Sequence, residues 1–331
     1  MTRKRKQSFP PQTVGKKVYL SFDEQIEKLK KDGLIIEDEK EAKARLKWEG
    51  YFNFAVGYNR LFKDDDKRYV DGTTFAHVEA LYDYDRRLRD VVYECTQVIE
   101  CNLKALVSDV FSRRYGVNER SYLAEGNFTD EPTMAPKVRW IIGTCRSTLE
   151  DGIRSGSSYY HDYIAYYDKT YGHVPLWALI RALSFGNTAK FLRLMKISDR
   201  REIAREYGLT EDVLCNLSEI AVAFRNVAAH GERVYCATLS SARLADDLPV
   251  LTSLQIPRFP DGSRKYAKRD FMSFLIVAKY LLRPAEFSRY LAIVVEATEK
   301  LETQLPPWAM KRVYEKTGLS GCWKKLDVLQ K

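Results

Sequence analysis

The chain has 331 residues, 45% of them hydrophobic, enough to fill one large core or two ordinary ones, which excludes disorder as the default state. Its 54 Lys and Arg against 45 Asp and Glu leave a net charge of +9, which favours a polyanionic partner such as nucleic acid, although an ordinary basic cytoplasmic protein has the same balance. The six cysteines, Cys95, Cys101, Cys145, Cys215, Cys236 and Cys322, are scattered without a Cys-x-x-Cys pair, so a disulfide-stapled secreted fold is excluded and reduced, packed thiols are expected. Met1 to Lys6 has the charge of a signal-peptide start, but Gln7-Ser8-Phe9-Pro10-Pro11 stands where the apolar run belongs. No later stretch offers the ~18 uncharged apolar residues of a membrane span, so a soluble cytoplasmic protein with no membrane contact is expected.

Taken in order, residues 1–18 are basic and lack apolar periodicity, and read as a flexible arm. Ser21 and Glu24 are spaced as a capping box that opens a helix through Lys31, with Gly33 as its stop. A second helix around Glu39 to Asn53 is expected to turn Ala42, Leu46 and Trp48 inward, with aromatic packing continuing through Tyr51, Phe52, Phe54 and Tyr58. Asp64-Asp65-Asp66 lacks the glycine and spaced ligands of a calcium loop and reads as a solvated turn; no metal or other cofactor is expected.

From Thr74 to about Gly116 the three-four spacing of Leu81, Leu88, Val91, Val92, Cys95, Val98, Ile99, Leu103, Leu106, Val107 and Val110 predicts one long helix or two nearly continuous ones. Residues 117–170 read as a helical insert with mobile loops, with helices around Val138 to Cys145 and Tyr159 to Asp168. Short helices follow at Trp177 to Leu183, Asn187 to Met195 and Asp199 to Tyr207, and then one from Glu211 to His230 with Gly231 as its C-terminal cap. Pro249, Pro257, Pro260 and Gly262 separate a final helical part, Tyr266 to Leu282 and Ala285 to Leu301, with any short strands in the stretch between. The expected fold is all-α.

The chemistry concentrates at Arg225 to Arg233. Asn226, His230 and Arg233 stand at i, i+4 and i+7 and would form one polar stripe on a helix, whereas Arg225 lies about 140° around the axis from His230 and reaches the same site by its long side chain or across a dimer interface. A histidine at a helix C-terminus favours the protonated imidazolium through the negative end of the dipole. Attack of an RNA 2′-hydroxyl on its own phosphate needs a proton removed, charge stabilised on the phosphorane and a proton given to the leaving 5′-oxygen, and histidine with arginine covers these tasks without metal. Asn226 would orient a phosphate or the imidazole, and Arg225 would hold non-bridging oxygens by charge-assisted hydrogen bonds. The bare spacing alone also fits surface ion pairs for Arg225 and Arg233 with His230 capping helix carbonyls.

Context comes from a family pattern. Arg225-Asn226-x-x-Ala229-His230-x-x-Arg233 resembles the signature of abortive-infection proteins of the AbiD/AbiF type in the HEPN ribonuclease superfamily. Ser21 to Ile26 and Gly33 to Ile36 are similar to that family's opening, Gly72 to Phe75 and Leu81-Tyr82-Asp83-Tyr84-Asp85-Arg86-Arg87-Leu88-Arg89 to its central helix, and Trp177 to Gly186 to its tryptophan-to-Phe-Gly segment. The likeness runs from about Leu20 to Tyr235; it departs at Lys104, where arginine is expected, and at Arg181, where the family carries glutamate. It implies a HEPN-like helical bundle over residues 19–235 with a variable insert near 117–170 and a C-terminal helical extension over 236–331. It further implies a metal-independent endoribonuclease in phage defence, pairing as a homodimer, with RNA as substrate and a structured non-coding RNA as bound partner or antitoxin. The implied catalytic residues are Arg225, Asn226 and His230, with Arg233 and Glu100 in support. A non-catalytic HEPN module that holds RNA is the alternative, and nucleotidyl transfer finds no Gly-rich phosphate loop here.

Overall fold

A computed structural model describes residues 19–329, and the expected basic arm, residues 1–18, lies outside the described residues. Among the described residues the chain is all-α: there is no strand, and β-type pairing is confined to isolated bridges such as Phe128 with Met195. No helix among them is long and apolar enough to cross a membrane, and none of the six cysteines is in a disulfide. The chain divides into two compact units at Glu79 and Ala80.

The first unit opens with α1 (Phe22–Lys31) and α2 (Glu39–Glu49). Ser21 accepts the Glu24 amide proton and the Glu24 carboxylate reaches back to the Ser21 backbone, so the capping box forms as its spacing requires. Ile26 and Leu29 of α1 and Ala42 and Leu46 of α2 are buried. Trp48 is not: it is 88% exposed, because two residues beyond Leu46 a helical side chain points about 200° away from the core face. Gly50, at φ 82°, ends α2 earlier than the apolar pattern suggested, and a single π-helical turn, Phe52–Val56, follows. That turn buries Phe54 against Phe75, ring centroids 5.2 Å apart, while Phe52 is left 75% exposed. The Asp64 to Asp66 run is an exposed turn in which the Asp64 carboxylate accepts from the Arg68 amide.

Next comes α3 (Phe75–Tyr115), one continuous helix across the whole expected span, which from Ala80 onward belongs to the second unit. Its Leu81, Leu88, Val92, Ile99, Leu103 and Val107 are fully buried. Then come α4 (Glu119–Tyr122), α5 (Ala135–Ile153), α6 (Asp162–Tyr171), α7 (Leu176–Ala182), α8 (Phe185–Leu194), α9 (Ile197–Arg205) and α10 (Glu211–Ala229). The C-terminal part supplies α11 (Val250–Ser253), α12 (Phe271–Leu281), α13 (Pro284–Gln304) and α14 (Pro307–Thr317). The last of these begins with Pro306 at the N-cap and Pro307 in the first turn, where proline gives up no intrahelical bond.

Three aromatic rings tie α3 to α8 and to the loop before α5: Phe111, Phe128 and Phe191 are fully buried with centroids 5.1 to 5.4 Å apart. The end of α3 is fastened to α9 by Arg114, 3.0 Å from Asp199 and 2.7 Å from Glu202. Behind α10 lies α12, every residue of which is buried, with Phe274 against Phe224 at 5.3 Å. Phe271 and Lys279 of α12 therefore belong to the core. Truncating Phe111 to alanine should destabilise the protein by about 3–5 kcal/mol through the cavity left among the three rings. Chemical denaturation checks this, and a loss below about 1 kcal/mol would show that the cluster does not anchor α3.

Candidate functional site

The site is built at the exit of α10. Thr210 caps its start, Glu211 and Asp212 complement the positive end of its dipole, and Leu214, Leu217, Ile220, Ala221 and Phe224 form a fully buried stripe. Two residues beyond Phe224 the helix faces solvent, so Asn226 is exposed, and His230, one turn later on the same face, is exposed as well. The helix stops in a Schellman turn: the Gly231 amide donates to Ala228 O at 3.1 Å and the Glu232 amide to Val227 O at 3.0 Å. Gly231 sits at φ 69°, a conformation that only glycine adopts without strain. His230 is thus the C-cap residue, its backbone fixed by its amide donating to Asn226 O at 3.0 Å.

The turn redirects the chain, so Arg233 does not extend the Asn226–His230 stripe as continuous helical spacing predicts. It lies beside Tyr235 and Cys236, where its charge opposes the upward push that burial exerts on both groups. Arg225 is half-buried on a different face of α10 from Asn226, and its Nε is buried without a hydrogen-bond partner. Asn226 and His230 are therefore brought together, with Arg225 on the neighbouring face and Arg233 past the turn.

Glu100 is not brought to this group. Its carboxylate pairs with Lys104 at 2.7 Å in a separate groove walled by Tyr163, Trp177 and Arg181. Lys104 also donates to the Arg181 carbonyl at 3.3 Å, and the Arg181 guanidinium stacks over Tyr163, 5.7 Å from its centroid. A backbone acceptor and an aromatic face thus accommodate the two positions at which the sequence departs from the family pattern.

The residue that supports the motif is Asp85 of α3, fully buried. One carboxylate oxygen accepts from the Tyr235 amide at 2.7 Å and the other from Arg89 at 2.6 Å. This fixes the stretch of chain that leaves the Schellman turn. The sequence signal was present: Asp85 falls on the core stripe between Leu81 and Leu88, where a carboxylate must find partners.

Asn226 also opens onto a groove of ≈ 880 Å³ enclosed by α5, α8 and α10. Lys137 and Trp140 come from α5, Lys190 and Arg193 from α8, and Ser241 and Ala242 from the segment after the motif. That segment is held by Asn216, which donates to Arg243 O at 2.9 Å and accepts from the Ala245 amide at 3.1 Å. No group of three or more His, Cys, Asp or Glu side chains placed to hold a metal occurs among the described residues.

An all-helical protein that presents an Arg-Asn-x-x-x-His group at the exposed end of a core helix is thus defined. The family model for Abi-like proteins matches residues 44–236, more than half of the chain, and the chain belongs to that family. Neither the comparison with curated proteins nor that with solved structures returns a match.

Asp85→Ala removes the ion pair with Arg89 and the acceptor of the Tyr235 amide and should cost about 3–5 kcal/mol, whereas Asp85→Asn, which keeps an acceptor and loses the charge, should cost less than half of that. Urea midpoints of the two variants decide it, and two near-wild-type midpoints would show that Asp85 does not hold the motif's exit.

Proposed function

We propose that this chain is a metal-independent endoribonuclease of the HEPN superfamily, of AbiD/AbiF type, acting in the cytoplasm in abortive infection, a bacterial defence against phage. Membership of the Abi-like family supports the defence role. The observation that carries the chemistry is the exposure of Asn226 and, four residues on, of the C-cap His230 at the end of α10, whose opposite face is locked in the core.

The reaction is attack of a ribose 2′-oxygen on the adjacent phosphorus. The O2′–P bond forms as the 2′ proton leaves to a base, the P–O5′ bond breaks, and the 5′-oxygen takes a proton, giving a 2′,3′-cyclic phosphate and a 5′-hydroxyl. His230 donates the proton to the 5′-oxygen. Arg225, half-buried on the neighbouring face, balances the phosphorane charge through its guanidinium. Asn226 orients the phosphate or the imidazole. Each chain has one such histidine, so a homodimer that sets two α10 ends together supplies the second imidazole as base. A structured non-coding RNA is the controlling partner that the AbiD/AbiF likeness suggests.

The purified chain should cut RNA in excess chelator and leave 2′,3′-cyclic ends. His230→Ala should lower the rate by about 10²–10⁴-fold and Arg225→Ala by about 10²–10³-fold. Loss of cutting on adding chelator, or full activity of His230→Ala, contradicts the mechanism. Copurified RNA that stays intact during long incubation would favour the binding-only HEPN module instead.

A further inference from the structure

The groove between α5, α8 and α10 is not absorbed by the chemistry at His230. Its chemistry is specific. Each helix contributes one face: Lys137 and Trp140 at i and i+3, Lys190 and Arg193 at i and i+3, and Val222 and Asn226 at i and i+4. Its one acidic side chain, Glu219, is taken up by Arg193 at 2.8 Å. Lys137 and Lys190 have no carboxylate partner among the described residues, so two unneutralised ammonium groups look onto one space. The Lys190 ammonium stands 4.2 Å from the centre of the Trp140 ring and fixes the indole, which is nevertheless 48% exposed. At ≈ 880 Å³ the space falls in the ~300–1,000 Å³ range of sites that enclose small organic groups, which suits nucleotide units.

We propose that this groove binds single-stranded RNA beside the scissile phosphate, with an unstacked base on Trp140 and backbone phosphates on Lys137 and Lys190. The assignment rests on the proposal that the α10 end handles RNA, and it names the form of RNA that end accepts. The groove leads to Asn226, and His230 is the next residue on the same face, so a strand lying along α10 passes from the aromatic wall to the imidazole. A single strand is required because an A-form duplex keeps its bases stacked inside and offers no free base to an indole. Stacking on an exposed aromatic flanked by cations is the general way proteins hold single strands without reading sequence.

Binding is measured with the full-length His230→Ala chain, a labelled unstructured oligoribonucleotide, and the same sequence annealed to its complement. Trp140→Ala should weaken single-strand binding by roughly 5- to 100-fold, and Trp140→Phe, which keeps a ring, should recover most of it. Replacing Lys137 and Lys190 by glutamine should flatten the dependence of log K on log salt by about 0.7 for each phosphate that is no longer neutralised. Unchanged affinity in both the tryptophan and lysine variants, with unchanged thermal melting, overturns the proposal; so does duplex binding that is as tight and equally dependent on Trp140. The two readings fail separately. Groove-dependent binding by a wild-type chain that never cuts would remove the catalytic mechanism and leave the groove, whereas cutting that ignores Trp140, Lys137 and Lys190 would remove the groove and leave the mechanism.

Discussion

A single buried carboxylate sets the geometry on which the candidate site depends. Asp85 stands on the core stripe of α3, where a charge is tolerated only if fully partnered, and its two oxygens are taken by Arg89 and by the Tyr235 backbone amide. One of those partners is five residues beyond His230. The chain leaving α10 is therefore pinned to the long helix, while the Schellman turn at Gly231 pins the residues before it. His230 is exposed between two fixed points, the arrangement a reactive side chain needs to be both accessible and oriented.

The other half of that constraint is α10 itself. Its apolar stripe sits against α8, α9 and α12, and the fully buried α12 supplies Phe274 against Phe224, immediately before Arg225 and Asn226. That backing helix lies beyond residue 236, where the family match ends. The C-terminal part thus contributes core to α10, and Lys279, buried within α12, is no surface cation. The opposite face of α10 is free to be polar because this one carries the burial.

Local signals made much of this readable in advance. The Ser21 capping box, the stripe of α3 and the glycine stop at Gly231 are decided within a few residues, and they formed where their spacing places them. What failed depends on direction or distance. Trp48 has the composition of a core residue but the wrong helical angle, and Arg233 loses its place on the stripe because the helix ends before it. Asp85 stands on the apolar stripe of α3, yet its backbone partner, the Tyr235 amide, is 150 positions away. The groove was not readable at all, since Lys137, Lys190 and Asn226 belong to three helices that meet only through tertiary packing.

Family membership, the exposed Asn226 and His230 and a cationic aromatic groove are the three observations on which the proposal of RNA as substrate rests. The central claim is that the RNA's own 2′-hydroxyl is the nucleophile. The most direct measurement compares two oligonucleotides of one sequence in chelator, one wholly ribose and one with 2′-deoxyribose at the cleaved position. The account requires the first to be cut to a 2′,3′-cyclic end and the second to bind and remain intact; cleavage of the deoxy-substituted strand at that position would contradict it.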